Sequence, residues 1–328
     1  MRSSLPTRLR LSEQEQRSPD DERAKARPED WEADIIHPRR HPMRWLISAA
    51  GLLVLVSIVG TIITSPNLHW NVVAHYFLDG TIIDGTIVTL SLTALTMIFG
   101  IALGVVIALM RLSEIATLRS CAWLFIWFFR STPLLVALVL WYNMALFFPV
   151  VELSIPFGPT LFSVNTNLLI SPFIAAVIAF SLNEAAYMAE IIRAGISSVP
   201  REQTDAALAI GMSRMMLFRR VVLPQALRAI VPPTGNEIVA VLKGTSLVFA
   251  ISVGDLMTSA KTIYSGNYEV ISLLVVVTIW YLILTSILSA VQAIFERSLD
   301  NDSRRSSFWA SFASNTVRMR PHQGGMTK

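Results

Sequence analysis

The sequence predicts an all-α integral membrane protein. Of its 328 residues, 53% are hydrophobic and only 15% are charged, and the mean hydropathy is +0.55. Soluble domains are roughly half apolar and a quarter charged, so water is not the main solvent of this chain. The apolar residues are gathered into runs of about 20, and helices of that length can cross a hydrocarbon layer of about 30 Å.

Six apolar runs are predicted to be transmembrane helices. The first, 43–65, follows a polar tail over 1–42 that is predicted to be disordered, because it lacks the apolar residues needed for a core. No small-residue cleavage pattern follows this run, so we expect it to remain as a membrane helix. The other five runs are 82–110, 133–148, 173–192, 238–257 and 270–295.

The placement of Lys and Arg orients the spans, because short loops rich in these residues stay in the cytoplasm. Segments 66–81 and 149–172 contain neither residue, and the segment between the last two spans contains only Lys261, so these segments face outward. By contrast, 193–234 holds Arg193, Arg201, Arg214, Arg219, Arg220 and Arg228. Both termini, including a tail over 297–328, are therefore predicted to be cytoplasmic. Membrane lipid accounts for the arginines, and nucleic acid is not expected as a partner.

The apolar stretch 121–148 is too long for one span, because a single helix over it would measure about 42 Å. Arg130-Ser-Thr-Pro133 offers a break, since proline lacks a backbone donor and a charge at mid-membrane is costly. A break would place the aromatic stretch 123–129 at the cytoplasmic interface. The alternative is a tilted, kinked helix with a snorkelling Arg130.

The loop 198–228 has the pattern of two short helices. A helix beginning near Thr204 is expected to end at Gly211, and Ser213 is placed to cap a second helix. This second helix puts Leu217, Phe218 and Val221 on one face and is expected to close at Leu223-Pro224. Such a face suits docking into a partner's groove, although an amphipathic helix lying on the membrane has the same pattern.

Several motifs resemble those of ABC importer permeases. The cytoplasmic signature of that family, the EAA loop, is similar to Asp205-Ala206-Ala207, Gly211, Phe218 and Leu223-Pro224, with Asp205 replacing the usual Glu. Motifs of the polar amino acid permease group are similar to Arg130-Ser-Thr-Pro-Leu-Leu, to the stretch from Asn183 to Gly195, and to Lys243-Gly-Thr-Ser-Leu247. The departures are Ser131, where Gly is common, and Gly244, where an acidic residue is common.

The resemblance implies a type I ABC importer permease fold over 82–296, with 43–65 as an extra N-terminal span. It further implies a multi-pass subunit of the bacterial inner membrane, paired as a homodimer or with a sister permease. Two cytoplasmic ATPase subunits, an external substrate-binding protein and an amino acid substrate are the other implied partners. The residues implied for coupling to the ATPase are Asp205, Ala206, Ala207, Gly211, Phe218, Leu223 and Pro224.

ATP hydrolysis is expected from a partner, because the chain contains no G-x-x-x-x-G-K-[ST] phosphate loop. We therefore expect a transport subunit that binds no cofactor itself. The five histidines lie outside the spans and no zinc-protease or serine-hydrolase motif occurs, so neither an enzyme nor a metal site is expected. An ion-coupled secondary transporter is the alternative, since such carriers also have polar residues in their spans. It leaves the signature loop unexplained.

Polar residues within the spans predict a substrate path. An amino acid offers an ammonium and a carboxylate, so its passage benefits from acidic, basic and hydroxyl groups. On the fourth span these candidates are Asn183, Glu184, Tyr187, Glu190 and Arg193, and on the fifth they are Lys243, Thr245 and Ser246. Two structural alternatives stay open: an ion pair between Glu190 and Arg193, and a snorkelling anchor role for Lys243. Gly100 and Gly104 are expected to serve helix packing.

Overall fold

The computed structural model describes residues 42–154 and 160–317. The predicted tail that precedes residue 42 lies outside the described residues. The chain divides into two compact units, and the boundary between them along the chain falls between Ser65 and Pro66. In the first unit, helix α1 (Pro42–Ile63) is long and apolar enough to cross a membrane, and its side chains are exposed. This helix matches the first predicted span.

The second unit begins with a short helix that is followed by a long one. Helix α2 (Trp70–Phe77) is short and was not expected from the sequence. Helix α3 (Gly80–Leu112) contains the second predicted span, and the Asp79 side chain caps it by accepting a hydrogen bond from the Thr81 N–H at 2.8 Å. Its 33 residues correspond to about 50 Å, which exceeds the thickness of a hydrocarbon core.

A sharp break separates helix α4 (Ala116–Ser131) from helix α5 (Leu134–Tyr142). The two axes meet at 100°, which confirms a break at Arg130-Ser-Thr-Pro133 and excludes the kinked continuous helix. The end of α4 lies deep in the bundle, because the Phe129 carbonyl accepts a hydrogen bond from Asn183 at 2.8 Å. The location of the aromatic stretch 123–129 at the cytoplasmic interface stays a prediction.

A β-hairpin connects α5 to the next long helix, where the sequence had predicted a loop. After a short 3₁₀ turn, strands β1 (Val150–Ser154) and β2 (Thr160–Asn165) pair antiparallel. The short helix α6 (Thr166–Leu169) follows, and then helix α7 (Pro172–Ser197). The Ser171 hydroxyl caps α7 by accepting a hydrogen bond from the Ile174 N–H, and Pro172 occupies the first helical position, where no donor is lost.

The chain then forms the predicted helix, turn, helix unit, in helices α8 (Arg201–Ala209) and α9 (Arg214–Leu217). The prediction that Leu223-Pro224 closes the second helix is wrong. A π turn over Phe218–Val222 leads directly into helix α10 (Leu223–Gly244), and Pro224 lies in its first turn, where a proline costs no helical hydrogen bond.

Helix α10 also runs through Pro232 and Pro233, so the fifth helix begins earlier than the sequence predicted. The Gln292 side chain supports this point by donating a hydrogen bond to the Pro232 carbonyl at 3.2 Å. A 3₁₀ segment (Thr245–Ile251), helix α11 (Leu256–Asn267) and helix α12 (Val270–Val317) complete the described chain. Five helices are long and apolar enough to span a membrane, or six when α4 and α5 count as one broken span.

The core of the second unit is the seam between α3 and α7. A Cβ added at Gly100 would lie 2.7 Å from the Cγ of Glu184, and one at Gly104 would lie 2.6 Å from the Cβ of Met188. Only glycine permits this approach, which confirms the predicted packing role of both residues. Because α7 passes through the whole bundle, it has the β-hairpin at one end and the 198–228 loop at the other.

Candidate functional site

A polar cavity of about 480 Å³ lies beside the break between α4 and α5, level with the middle of α7. Its walls come from the break, from one face of α7 and from the second half of α10. The lining residues are Arg130, Ser131, Thr132, Pro133, Leu134, Phe180, Asn183, Glu184, Tyr187, Glu237, Ala240, Val241 and Gly244. The break thus brings together the three sequence motifs that were singled out at 130–135, 183–195 and 243–247.

Arg130 supplies the positive charge of this cavity. Its guanidinium lies 5.0 Å from the ring centroid of Tyr187, a distance at which the ring attracts the cation. Among the described residues Arg130 forms no salt bridge, although Glu237 is close enough to interact with it electrostatically. Helix α5 begins four residues later with Pro133 as its N-cap and without a capping side chain. Both features favour an anion at this point.

Glu184 is the most buried charged residue of the cavity. Its side chain is on the seam with α3, and the residue is only 3% exposed. Within the described part of the chain, its Oε1 atom has no hydrogen-bond partner. A buried carboxylate without partners is costly, so this atom requires a ligand with a donor or a positive charge.

Glu237 adds a second carboxylate that the sequence analysis did not identify. It lies on α10, is half-buried, and is close enough to Glu184 and Arg130 to interact electrostatically with both. The sequence placed the fifth span from residue 238 onward, which left Glu237 outside the membrane. The sequence could have identified Glu237 by its spacing from Gly244, because residues seven apart lie on the same face of a helix.

Five of the predicted path residues do not join Asn183, Glu184 and Tyr187 in this cavity: Glu190, Arg193, Lys243, Thr245 and Ser246. Arg193 binds the Glu190 carboxylate through two nitrogens, at 2.9 and 2.7 Å, as expected for the structural alternative. Thr245 is buried and its hydroxyl donates to the Leu242 carbonyl, while Ser246 donates to the carbonyl of Lys243.

Lys243 is exposed and is not part of the cavity lining. Its neighbour Gly244 faces the cavity in its place. Roles for these residues in transport remain predictions.

A second cavity, of about 570 Å³, lies nearer the 198–228 loop and is almost wholly apolar. Residues of α3, α7, α10 and α12 line it, among them Val105, Met188, Ile230 and Leu288. Phe218 and Leu223 of the loop also contribute. Hydrophobic side chains alone offer a charged or polar solute no hydrogen-bonding or charged partner.

The 198–228 loop has a defined turn at Gly211. The N–H of Met212 donates to the Ala207 carbonyl and that of Gly211 to the Leu208 carbonyl, which is the hydrogen-bond pattern of a Schellman motif. Gly211 has φ +84°, a conformation that residues with a side chain rarely adopt. As predicted, the Ser213 hydroxyl caps α9, accepting from the Met216 N–H at 3.3 Å.

The outer surface of this loop is apolar. Ala207 is buried, whereas Asp205, Ala206 and Pro224 are exposed. Large hydrophobic side chains are also exposed around the turn: Leu208, Ile210, Met215 and Met216, together with Phe218. Ile210 is 76% exposed. Such a surface, flanked by arginines, has the composition of a protein interface.

Two acidic residues have shifted pKa values near the hairpin end of the bundle. Burial raises the pKa of Asp255, against the effect of hydrogen bonds from Thr258 and from the Met257 N–H. A hydrogen bond with His69 at 2.9 Å holds the pKa of Glu269 below its usual range. These groups cap α11 and join the segment before α2 to the start of α12. Among the described residues, no three His, Cys, Asp or Glu side chains cluster as metal ligands would.

Comparisons with known proteins agree with this geometry. The family model for the binding-protein-dependent transport system inner membrane component matches residues 100–301. The arginine transport system permease protein ArgU of Corynebacterium glutamicum is 39% identical over 269 residues, which cover 82% of this chain and 84% of ArgU. The L-cystine transport system permease protein TcyB of Bacillus subtilis is 37% identical and covers 71% of this chain and 92% of TcyB.

A similar solved structure is that of an amino acid ABC transporter with histidines. It superposes with a TM-score of 0.58 at 36% sequence identity, over 66% of this chain and 94% of the matched chain.

Proposed function

Because this chain belongs to the family of binding-protein-dependent transport system inner membrane components, we propose that it forms the membrane path of an ATP-driven importer of amino acids. The chain is a transport component of the bacterial inner membrane and not an enzyme. Its similarity to permeases for arginine and cystine supports amino acids as the substrate class. The observation that carries the proposal is the 198–228 loop, with its glycine turn and exposed apolar side chains.

The loop supports coupling to an ATPase for a physical reason. Leu208, Ile210 and Met215 are exposed on the outer surface of this loop, where water gives them no stabilisation. Docking into the groove of a partner removes this apolar surface from water. Asp205, at the exposed side of α8, then adds a charged contact at the rim of the interface.

The polar cavity supports passage of a zwitterion. It lies midway along α7 and offers two charged groups. Arg130, which forms no salt bridge among the described residues, suits a carboxylate, and Glu184, whose buried Oε1 has no hydrogen-bond partner among them, suits an ammonium. Bringing such a substrate into the bundle then replaces its hydration with charged partners. The broken span contributes Arg130, Ser131 and Thr132 to this polar lining.

The complete importer requires further subunits. We assign two ATPase subunits to the loop side, which is then cytoplasmic and contains both chain termini, and a substrate-binding protein to the hairpin side. A second permease, either another copy or a sister chain, completes the path. ATP is bound by the ATPase subunits, since the 328 residues contain no phosphate-binding loop, and this chain needs no cofactor of its own.

The proposal is tested by co-purification from native membranes in mild detergent, followed by mass spectrometry. Gly211→Val places a β-branched residue at a positive φ and should distort the turn. Gly266→Val on α11 makes the same chemical change where an added Cβ meets open space and φ is not positive. We expect an ATPase subunit to purify with the wild type and with Gly266→Val, and to be lost from Gly211→Val.

The opposite result has a clear meaning. If no ATPase subunit purifies with the folded wild-type protein, the importer proposal fails and an ion-coupled secondary transporter becomes the better explanation. If both valine variants retain the ATPase equally, the Gly211 turn is not the contact that carries coupling.

A further inference from the structure

We propose that the apolar cavity binds an anionic phospholipid, with an acyl chain between the helices and the headgroup held by arginines beside the 198–228 loop. This site is separate from the polar cavity and does not depend on which substrate is carried. Three features of the apolar cavity support it: an opening at membrane depth, a lining without free polar groups, and a ring of arginines at the end next to the loop, called here the loop end.

The apolar cavity is a groove that is open on one side. Met188 of α7 and Ala226 of α10 lie at its base and are buried. Leu109 of α3 and Phe295 of α12 line its edges and are 55% and 63% exposed. Both edge helices are long and apolar enough to span a membrane, so the opening between them lies at the depth of the hydrocarbon. A lipid chain can therefore enter the groove from the bilayer.

The lining suits a hydrocarbon chain. Its two polar side chains, Thr234 and Gln292, are both hydrogen-bonded within the bundle. The Thr234 hydroxyl donates to the Ile230 carbonyl at 2.8 Å, and the Gln292 amide donates to the Pro232 carbonyl. The other lining residues are hydrophobic or glycine. A volume of about 570 Å³ is in the range of small-molecule sites, roughly 300–1,000 Å³, and this lining favours an acyl chain as the occupant.

Exposed arginines surround the loop end of the groove. On three elements, arginines lie one or two positions after a lining residue: Arg219 and Arg220 after Phe218, Arg228 after Leu227, and Arg297 after Phe295. All four arginines are exposed and form no salt bridge among the described residues. Glu296, an acidic residue beside them, accepts a hydrogen bond from Gln292 at 2.8 Å. Guanidinium groups bind phosphate through paired hydrogen bonds, and basic pockets between transmembrane helices suit anionic headgroups.

The loop end lies at the depth of the headgroups. The membrane-spanning part of α12 ends at Arg297, two residues beyond Phe295. Helix α3 ends at Leu112, three residues beyond Leu109. An acyl chain between these helices therefore has its phosphate near the arginines. Phe218 of the 198–228 loop lines the same end, so a bound lipid contacts this loop directly.

Arg111, at the end of α3, has a buried donor that the described bundle does not satisfy. On the seam, Gly104 of α3 lies beside Met188 of α7. Two turns further along both helices, Arg111 is level with Gly195, where an added Cβ would contact Ile230 of the groove lining. The Nε of Arg111 is buried and has no hydrogen-bond partner in the described part of the chain. A phosphate oxygen at the loop end satisfies such a donor.

Native mass spectrometry of the full-length chain, purified in mild detergent, tests the lipid. Dioleoyl phosphatidylglycerol and dioleoyl phosphatidylcholine are added in equal amounts, because they have the same acyl chains and differ in net charge. We expect the wild type to retain about fivefold or more phosphatidylglycerol than phosphatidylcholine. Glycerophosphoglycerol, the same headgroup without acyl chains, should not displace the lipid, since it cannot fill the groove. Equal retention of the two lipids, or displacement by this soluble headgroup at equal concentration, would overturn the inference.

Tryptophan substitutions test the groove. Val105 and Val106 are neighbours on α3 and are both exposed, but only Val105 lines the groove. Val105→Trp should fill the groove and reduce bound phosphatidylglycerol about fivefold or more, whereas Val106→Trp should bind it as the wild type does. Val291→Trp fills the groove from α12 and provides the same test if Val105→Trp does not fold. Undiminished binding in a folded groove variant would overturn the inference.

Two charge-matched variants test the headgroup contact. The first replaces three arginines beside the groove with glutamine: Arg219, Arg220 and Arg297. The control makes the same change at three exposed arginines outside the lining: Arg119, Arg201 and Arg214. The first variant should bring the preference for phosphatidylglycerol to within about twofold, and the control should keep it. Equal losses would indicate general electrostatic attraction and overturn the site. A second copy of the chain retained in place of lipid would make the groove an interface and overturn it as well.

Discussion

Two cavities of similar volume occupy the bundle, yet they differ in nearly every chemical respect. The larger, about 570 Å³, is lined by aliphatic and aromatic side chains, whereas the one of about 480 Å³ contains an arginine and two glutamates. Volume alone would favour the apolar cavity as the substrate site. The polar groups reverse that choice, because a membrane protein stabilises charged residues in its interior only where a ligand or partner compensates them.

At the seam between α3 and α7, the glycine that packs behind the polar cavity and the glycine that packs behind the apolar cavity are one helical turn apart. Gly100 lies behind Glu184 of the polar cavity, and Gly104 lies behind Met188 of the apolar one. The two regions therefore share the same close helix contact and differ in the side chains placed upon it. Matched substitutions can test the difference.

The largest effect is expected for Glu184→Gln, which keeps the shape of the side chain and removes its charge. If Glu184 compensates the ammonium group of the substrate, uptake by cells or proteoliposomes should fall about tenfold or more. Leu288→Ala, in the lining of the apolar cavity and outside the 198–228 loop, should leave uptake within about twofold. Normal uptake by Glu184→Gln, with normal assembly, would remove the functional distinction between the cavities.

The next largest effect is expected for the glycine seam. Gly100→Ala and Gly104→Ala each force a Cβ into contact with α7, and each should lower the free energy of unfolding by about 1–3 kcal/mol. Thermal unfolding in detergent measures this loss. Only Gly100→Ala displaces Glu184, so uptake per folded molecule should fall for this variant and not for Gly104→Ala. Equal losses of uptake would contradict the comparison.

Asp255 offers a contrast to Glu184, because it is a buried carboxyl group that accepts its hydrogen bonds from the protein itself. Asp255→Ala should cost about 1 kcal/mol through the lost cap of α11. Burial raises the pKa of Asp255, so its ionisation lowers stability as the pH rises above the ordinary aspartate pKa of about 3.9. Asp255→Asn should therefore match or exceed the wild type in thermal stability at pH 8 and lose this advantage near pH 4. A large loss of thermal stability in Asp255→Asn at pH 8 would contradict this prediction.

The smallest effect is expected at the exposed pair of His69 and Glu269. The hydrogen bond with His69 lowers the pKa of Glu269, so this contact stabilises the fold above the unfolded glutamate pKa of about 4.3. The stabilisation is lost as the pH falls through the lower pKa of the folded state. Glu269→Gln should give a slightly lower melting temperature than the wild type at pH 7 and none of this difference at pH 3. If the melting temperatures of Glu269→Gln and the wild type differed by the same amount at both pH values, the stabilising role of the Glu269 carboxylate would be contradicted.

The elements that the sequence predicted well are those set by local rules. Length and hydropathy located the spans, Gly211 and Ser213 located the helix, turn, helix unit, and Pro133 located the break in the third span. The turn and the break each depend on a residue type with a strong backbone preference. The residues proposed for coupling, at 205–224, were identified by their resemblance to a family motif, and their role stays a prediction.

The elements that the sequence missed depend on contacts between distant segments. The apolar run placed the start of the fifth span at residue 238, but α10 already runs through Pro232 and Pro233, where Gln292 of α12 donates a hydrogen bond to the Pro232 carbonyl. That error placed Glu237 outside the membrane. The hairpin over 150–165 was missed because Pro156 and Gly158-Pro159 were interpreted only as signs of a loop, although a short segment with glycine also connects paired strands.

The paired prolines have a mechanical consequence. Pro232 and Pro233 lack N–H groups, so two successive rungs of the hydrogen-bond ladder, to the carbonyls four residues earlier, are missing from α10. A helix with two missing rungs is more compliant there than on either side. This compliant point lies between the loop at 198–228 and Glu237. A push on the loop can therefore tilt the cavity wall through a bend, while the rest of α10 keeps its hydrogen bonds.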